Sequence, residues 1–317
     1  MALRLFLYIA CVGLLLAAVA FSPSWGKWLW LRTLHDFAHG PVFGAIAVLA
    51  MLALSHMPRT ARDSALRHYV SAFGFAVFLG GLTELVQWRT GRDPSWVDFG
   101  TDVLGIVTFL LLYSLFDSRL RGKGLRKWGM LGALIGLAFM ASPMIRTAHA
   151  YYERSRAFPQ IIDIHRGLSS YFITTRQART HIEPLPTRWS SSNESALRVD
   201  FLQGKWQGVA HNEPPQDWRG YDSFVVDIVN PTQLPLKIVV RIDDQHHDWR
   251  DADRYNGRFE IAPESRERLR IKLSDIQQAP KTREFDLSRV ARILVFRQND
   301  SEAPAMYLVR MGLDHGE

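Results

Sequence analysis

Long apolar runs separated by short polar stretches fill the N-terminal half of the chain. A helix that crosses a bilayer needs about 20 mostly apolar residues, and the pattern predicts five such helices. They are placed at Leu5–Phe21, His35–Ser55, Tyr69–Trp88, Asp98–Phe116 and Trp128–Ala148. The first run ends in A-V-A, which is typical of a signal-peptide cleavage site. Cleavage of residues 1–20 is therefore an open alternative for the first helix.

The C-terminal half has a different pattern of apolar and polar residues. Short runs rich in β-branched residues alternate with Pro, Gly, Asn and Asp, which predicts strands joined by turns. Seven strands are predicted, at 197–201, 223–230, 236–243, 257–262, 268–273, 292–298 and 305–313. Seven short strands without a long helix favour a β-sandwich. The predicted organisation is a five-helix membrane domain at 1–150, a linker and docking segment at 151–184, and an all-β jelly-roll sandwich at 185–317.

Charge follows the same division. The 317-residue chain has a formal net charge of +7. Residues 1–150 hold 14 Lys and Arg against 7 Asp and Glu, whereas residues 151–317 hold 24 against 24. The whole excess lies among the apolar runs, so it indicates membrane topology and not a nucleic-acid partner. The single cysteine, Cys11, excludes an intramolecular disulfide.

Loop arginines and lysines predict the orientation, because cytoplasmic loops carry the positive excess. The 57–68 loop has three basic residues and the 117–127 loop has five. In a five-helix layout both loops lie on one side, which we assign to the cytoplasm. We therefore predict a multi-pass cell-membrane protein with a cytoplasmic N-terminus and an extracytoplasmic C-terminal domain.

Polar side chains gather at the predicted outer ends of three of these helices. Ionisable residues inside membrane helices are costly and commonly functional. The candidate ligand-binding residues are His35, Asp36, His39, Glu84, Gln87, Arg92, Asp98 and Asp102. His39, Glu84 and Asp98 are the candidates for acid–base catalysis, and Arg89 or Arg92 suits a phosphate or carboxylate. A purely structural role, with Asp98 capping a helix, stays open.

These residues carry a family resemblance. The elements H-D-F-A-H, T-E-L-V-Q and R-D-P-S-W-V-D-F-G-T-D-V-L-G occur in order within residues 30–116, and together they resemble the VanZ-like family. The resemblance implies an integral cell-envelope protein. The member that gives the family its name is linked to resistance to the glycopeptide teicoplanin. Two positions depart from the family pattern. Asp102 stands where Asn is usual, and the basic residue before the first histidine is absent.

A second resemblance covers residues 185–314. The segments W-R-G-Y-D-S-F-V-V-D-I-V-N-P and R-I-D-D-Q-H-H-D-W-R-D-A-D-R-Y-N-G-R-F are similar to jelly-roll carbohydrate-binding modules of the galactose-binding-like superfamily. That resemblance implies a glycan-binding module. Sugars are bound by planar polar side chains together with an aromatic face, which Trp249, Tyr255 or Trp206 could supply. The candidate carbohydrate-binding residues are Asp243, Asp244, His247, Trp249, Asp253, Arg254 and Asn256.

The polar stretch from Asp243 to Arg258 has an alternative interpretation without a ligand. It could be a solvated loop whose acids and arginines neutralise each other. No metal signature such as H-E-x-x-H is present, and the clustered acids lack EF-hand spacing. We predict no cofactor and no metal, with calcium binding in the sandwich left open.

Three functions remain. The first is an envelope protein that binds a glycan, or a lipid-linked or glycopeptide ligand, at the outer membrane face. The second is an intramembrane enzyme acting on a polyprenyl-phosphate or glycolipid. The third is a structural scaffold that docks another envelope protein. The expected partners are the lipid bilayer and a glycan or lipid-linked envelope component.

Overall fold

The computed structural model describes residues 2–20, 28–57, 60, 63–89, 95–120, 123–164, 169–190 and 194–316. The chain divides into two compact units, Met1–Ala148 and His149–Glu317. The first unit is helical and the second is almost entirely β.

Five helices are described in the N-terminal region. They are α1 (Ala2–Ala20), α2 (Leu29–His56), α3 (Ala65–Arg89), α4 (Trp96–Ser114) and α5 (Lys123–Ala157). In four of them the stretches Leu29–His56, Ala65–Arg89, Trp96–Ser114 and Arg126–Ala157 are long and apolar enough to cross a membrane. Helix α1 contains only a shorter apolar stretch, Phe6–Ala17. Four of the five predicted membrane helices are thus confirmed as candidates by length and composition. A membrane-spanning role for the remaining one, α1, stays a prediction.

Helices α2 and α4 approach each other closely because glycines face each other between them. A Cβ added at Gly105 would lie 2.0 Å from the carbonyl oxygen of Gly40, and one at Gly44 would lie 2.9 Å from that of Gly105. Small residues allow such close packing of apolar helices. The core beside this contact is formed by buried apolar residues of α2, α3 and α4, including Phe43, Ile46, Ala76 and Ile106.

The second unit is a sandwich of two antiparallel sheets. Its strands are β1 (Gln160–Asp163), β2 (Ile173–Arg176), β3 (Ala178–Pro184), β4 (Ser195–Phe201), β5 (Gly208–His211), β6 (Ser223–Val229), β7 (Leu236–Asp244), β8 (Tyr255–Ile261), β9 (Arg266–Lys272), β10 (Val290–Arg297) and β11 (Ala305–Asp314), with a short helix α6 (Leu273–Gln277). One sheet has the order β3-β4-β11-β6-β9, with β1 also paired to β11. The other has the order β2-β5-β10-β7-β8.

Alternation builds the core between the sheets. In β7 the side chains of Leu236, Ile238, Val240 and Ile242 are buried in the core, and Ile293 and Val295 of β10 join them. Trp218 is fully buried in the same cluster. The intervening residues of β7 and β10 therefore point to the opposite face, away from the core.

All seven predicted strands are present, but the domain boundary predicted at 185 is wrong. The segment 151–184, predicted as a linker and docking segment, contains β1, β2 and β3. Strand β1 pairs with β11, β2 with β5, and β3 with β4 along seven residue pairs. Backbone groups in this segment are thereby satisfied by the two sheets, so the segment belongs to the sandwich.

Candidate functional site

The helical unit buries a histidine–aspartate pair. His39 of α2 and Asp102 of α4 are each 1% exposed, and Nδ1 of His39 lies 3.0 Å from Oδ1 of Asp102. Since a carboxylate oxygen accepts, Nδ1 donates and Nε2 is left as an acceptor. The close contact of α2 with α4 at Gly40 and Gly105 brings the two side chains together.

Glu84 of α3 belongs to the same polar region. Its Oε2 accepts a hydrogen bond of 2.8 Å from the backbone N–H of Ser95, the residue that caps α4. A carboxylate at this place complements the positive end of the helix dipole. Glu84 and Asp98 both lie close enough to His39 to interact with it electrostatically.

Three buried polar atoms of this region have no hydrogen-bond partner among the described residues: Nε2 of His39, Oε1 of Glu84 and Oδ2 of Asp102. Buried polar atoms are nearly always paired, so unpaired ones require an explanation. Oδ2 of Asp102 lies against α3, since a Cβ at Gly80 would be 3.3 Å from it. The three helices thus present acceptors to one buried region.

The other candidates of the helical unit take different places. The His35 ring stands edge-on to that of His39 at 5.4 Å, and Gln87 is buried on α3. Asp36 is exposed, and Asp98 donates its backbone N–H to Ser95 Oγ at 3.1 Å. Arg92 lies outside the described residues.

Asp102, one helical turn beyond Asp98, is therefore the carboxylate that pairs with His39. The sequence placed Asp98 among the catalytic candidates and Asp102 only among the ligand-binding ones. The two residues share a helix face, and only the depth of packing distinguishes them.

In the sandwich, all three of the predicted carbohydrate-binding acids are bound by arginines. Arg283 donates to Asp253 at 2.6 Å through Nε and to Asp244 at 2.8 Å through Nη2. Arg241 donates to Asp243 at 2.7 Å, and Arg292 donates to the same carboxylate at 2.7 Å. All three acids are buried. They hold the loop that follows β7 and are not free to contact a sugar directly.

These contacts also shift the ionisation of the acids. Hydrogen bonds from Arg283 are the main cause that lowers the pKa of Asp253 to about 2, against burial, which raises it. Burial is the largest influence on Asp243 and raises its pKa, but the two arginines together outweigh it, so the pKa is lowered. Both carboxylates are therefore charged at neutral pH.

The remaining predicted residues of the sandwich differ in exposure. His247 is nearly buried, with Nδ1 donating to the Asp253 carbonyl at 3.1 Å and Nε2 accepting from Arg241 at 3.2 Å. The Asn256 amide donates to the Asp251 carbonyl at 3.3 Å. Trp249 is 63% exposed, whereas Tyr255 is partly buried against the core.

Within the described part of the chain, one group has the spacing of a metal site: His247, Asp248 and Asp253, with ligand atoms within 4.8 Å of one another. The guanidinium of Arg283 already neutralises Asp253, and Nδ1 of His247 is engaged with a carbonyl. A cation there would have to displace a bound arginine.

The outer face of the five-stranded sheet, the face turned away from the core, has a distinctive composition. Thr174, Ala210, Leu294 and Arg241 lie side by side across β2, β5, β10 and β7. In the neighbouring row Gly208 lies beside Phe296 and Val239. The centre of the face thus carries mostly apolar side chains, with Arg241 at one end of the first row.

Two exposed tryptophans flank this centre. The ring of Trp206, 47% exposed, packs edge-on against Phe296 at 5.2 Å between centroids. The Trp249 ring lies 5.3 Å from the guanidinium of Arg292. Since Arg292 and Phe296 are four residues apart on β10, the two tryptophans are anchored ~13 Å apart along the strand.

Both tryptophans adopt backbone angles that bulky residues avoid, with φ of +63° for Trp206 and +72° for Trp249. Such conformations cost on the order of 1–3 kcal/mol each and concentrate at functional sites. The sequence pointed to both residues as possible stacking partners, but gave no signal of their shared face.

Comparison with known proteins adds fold-level likenesses only. No protein-family model matches the chain, and no curated protein matches it. Among solved structures, an exo-β-agarase has 17% identity and a TM-score of 0.38 over 46% of this chain. This chain spans about a quarter of that enzyme, 23% of its length.

Two carbohydrate-binding modules are similar in the same way. A family 11 module from Clostridium thermocellum, in complex with a β-1,3-1,4-mixed-linked tetrasaccharide, has 11% identity and a TM-score of 0.35, over 46% of this chain and 89% of the module. A family 29 module from Piromyces equi has 9% identity and a TM-score of 0.30, over 46% of this chain and 81% of the module. At these scores the case for a ligand rests on the geometry of the sandwich itself.

Proposed function

We propose that this chain is a membrane-anchored glycan-binding protein whose sandwich binds an oligosaccharide on the outer face of the five-stranded sheet. The observation that carries the proposal is the pair of strained, exposed tryptophans, Trp206 and Trp249, on either side of the centre of this face. Aromatic faces stack on sugar rings, and polar side chains bind the hydroxyls. The separation of the tryptophans suits a chain of several sugars better than a single ring.

The test is binding of the purified full-length chain to a panel of soluble polysaccharides, measured by calorimetry. Trp206→Ala and Trp249→Ala should each weaken binding by about tenfold or more, because each removes a large apolar contact. Trp189→Ala is the matched control, since Trp189 packs on Tyr307 of the other sheet. Binding that survives both outer-face substitutions would contradict the proposed site, and absence of binding to every polysaccharide would favour the scaffold.

The helical half is proposed to be a VanZ-like membrane domain, with α1 as a fifth membrane helix and the sandwich on the extracytoplasmic side. Four long apolar helices and the basic loops support this arrangement. A cysteine introduced at Asp300 in a Cys11→Ser background should react with an impermeant reagent in whole cells, and one at Arg119 should not. The opposite result would reverse the proposed orientation.

A second function, intramembrane acid–base chemistry on a lipid-linked substrate, is favoured by the geometry of His39. Its Nδ1 is held by Asp102, and its Nε2 has no hydrogen-bond partner among the described residues. A general base needs this free nitrogen and a partner that orients the ring. Turnover of a polyprenyl-phosphate or glycolipid that Asp102→Asn abolishes would establish it, and absence of turnover would leave a binding role.

A further inference from the structure

Three guanidinium groups gather around one buried carboxylate at the Trp249 end of the outer face. Arg241 contacts Asp243 through Nε and Nη2 at 2.7 and 3.0 Å, and Arg292 contacts it through Nε and Nη2 at 3.0 and 2.7 Å. Arg254 lies near both arginines and the acid, close enough to interact electrostatically with all three. Asp243 is 3% exposed.

Within this cluster the arginines outnumber the carboxylates, whereas the adjoining Asp244 and Asp253 share one arginine, Arg283. Three positive side chains share one buried negative one, Asp243. Arg254 also contacts Asp251, but the side chain of Asp251 is 86% exposed, and water screens an exposed pair strongly. The side chains of Arg241 and Arg292 are more exposed than that of the acid they share, at 14% and 26% against 4%, so the cluster turns positive charge toward the solvent, where an anion would meet it.

Arg254 supplies the independent sign of a missing partner. Its side chain is only 10% exposed, and its Nε has no hydrogen-bond partner in the described chain. A buried N–H without an acceptor costs free energy that an arriving oxygen would recover. Burial is the main cause that lowers the pKa of Arg254, and the charges of Arg241 and Arg292 lower it further. An anion would relieve both effects.

The position of the cluster connects it to the tryptophan platform. Arg292 stands over the Trp249 ring, and Asn256 of β8 pairs with Arg241 across the strands. We propose that this cluster binds the anionic substituent, a carboxylate or a sulfate, of a sugar stacked on Trp249, so that the sandwich selects acidic glycans. This inference rests on the proposed glycan-binding function and names its ligand class.

The experiment compares polymers that differ only in charge. Full-length protein is titrated at low salt with polygalacturonate and its methyl ester, and with carrageenan and its desulfated form. Loss of a hydrogen bond to a charged group costs about tenfold or more in affinity, so the charged member of a pair should bind at least about tenfold more tightly. Added salt should narrow the difference, because the cluster lies near solvent. Preference for carboxylate alone or sulfate alone identifies the substituent, and either supports the inference.

Two variants and a control test the preference for charged glycans separately from glycan binding itself. Arg254→Gln should lower the affinity for the charged polymers and narrow or remove the preference for charge, and Arg254→Lys should keep part of that preference, since the charge stays and the planar fork is lost. Arg188→Gln, which alters an exposed arginine paired with Glu264, is the matched control. Equal binding of charged and neutral polymers would overturn the acidic selectivity and leave glycan binding intact. Binding of none of the polymers would overturn both.

Discussion

The two units of this protein bury carboxylates in opposite ways. In the sandwich, Asp244 and Asp253 share the guanidinium of Arg283, which donates to both. In the helical unit, Glu84 and Asp102 form no salt bridge with any described Lys or Arg, and each keeps one unpaired oxygen. A paired buried charge holds structure together, whereas an unpaired one is a cost that the fold carries. We interpret the first cluster as structural and the second as a site.

Removal of Arg283 should produce the largest effect. Arg283→Ala leaves two buried carboxylates without a cation, and breaking such a buried pair costs about 3–5 kcal/mol. The free energy of unfolding of the sandwich is measured by urea titration with pulse proteolysis of the full-length chain. Arg219→Ala, at an exposed pair with Asp217, is the control and should leave it unchanged. Similar curves for the two variants would mean that the Arg283 network is not structural.

His211 of β5 allows a second test, because it is a buried group of the sandwich whose ring nitrogens lack hydrogen-bond partners among the described residues. It is fully buried, neither ring nitrogen has a partner among the described residues, and it stacks on Phe172. Burial, aided by the charge of Arg154, lowers the pKa of His211 to about 3. In the unfolded chain the pKa of this histidine is near 6.5. Between about pH 6.5 and about pH 3 the unfolded chain therefore binds more protons than the folded one.

Stability should consequently fall as the pH drops from about 6.5 to about 3, by about 1.4 kcal/mol for each pH unit. His211→Phe should flatten this dependence, since the ring is replaced by one that does not titrate. His246→Gln, at a half-exposed histidine, should retain it. A slope that persists in His211→Phe would assign the proton uptake to other groups.

The comparison also marks what could be learned from sequence. Alternating or continuous apolar runs located seven of the eight strands that have seven or more residues, because these strands bury one or both faces. The four-residue strands β1, β2 and β5 are too short to show that alternation, and β3 carries exposed residues at most positions. Their place in the sheets depends on partners far along the chain, such as β11 for β1.

The candidate sites also combine features that local sequence indicates with features that depend on residues distant in the chain. Helical spacing groups the polar residues of α2, α3 and α4 by helix face, but the choice of Asp102 over Asp98 depends on close packing at Gly105. In the sandwich, the acids predicted to contact sugar are held by Arg283 and Arg292, 30 to 49 residues away in the chain. Sequence shows a polar loop, and only the fold shows which of its charges are already satisfied.

The smallest change is also the sharpest test of the comparison. Asp102→Asn and Asp244→Asn make the same substitution at two equally buried positions. At Asp102 the amide oxygen still accepts from His39, and the substitution removes the charge of a buried carboxylate whose Oδ2 has no partner among the described residues, so stability should change by less than about 1 kcal/mol.

At Asp244 the amide loses the charge that Arg283 requires and places donors against its guanidinium, so unfolding should become easier by about 2 kcal/mol or more. Both variants are measured in the full-length chain by thermal unfolding, with the wild type as reference. If Asp102→Asn proved as destabilising as Asp244→Asn, the pair with His39 would be structural. A small effect at Asp102 alone would mean that this carboxylate is kept for a purpose other than stability.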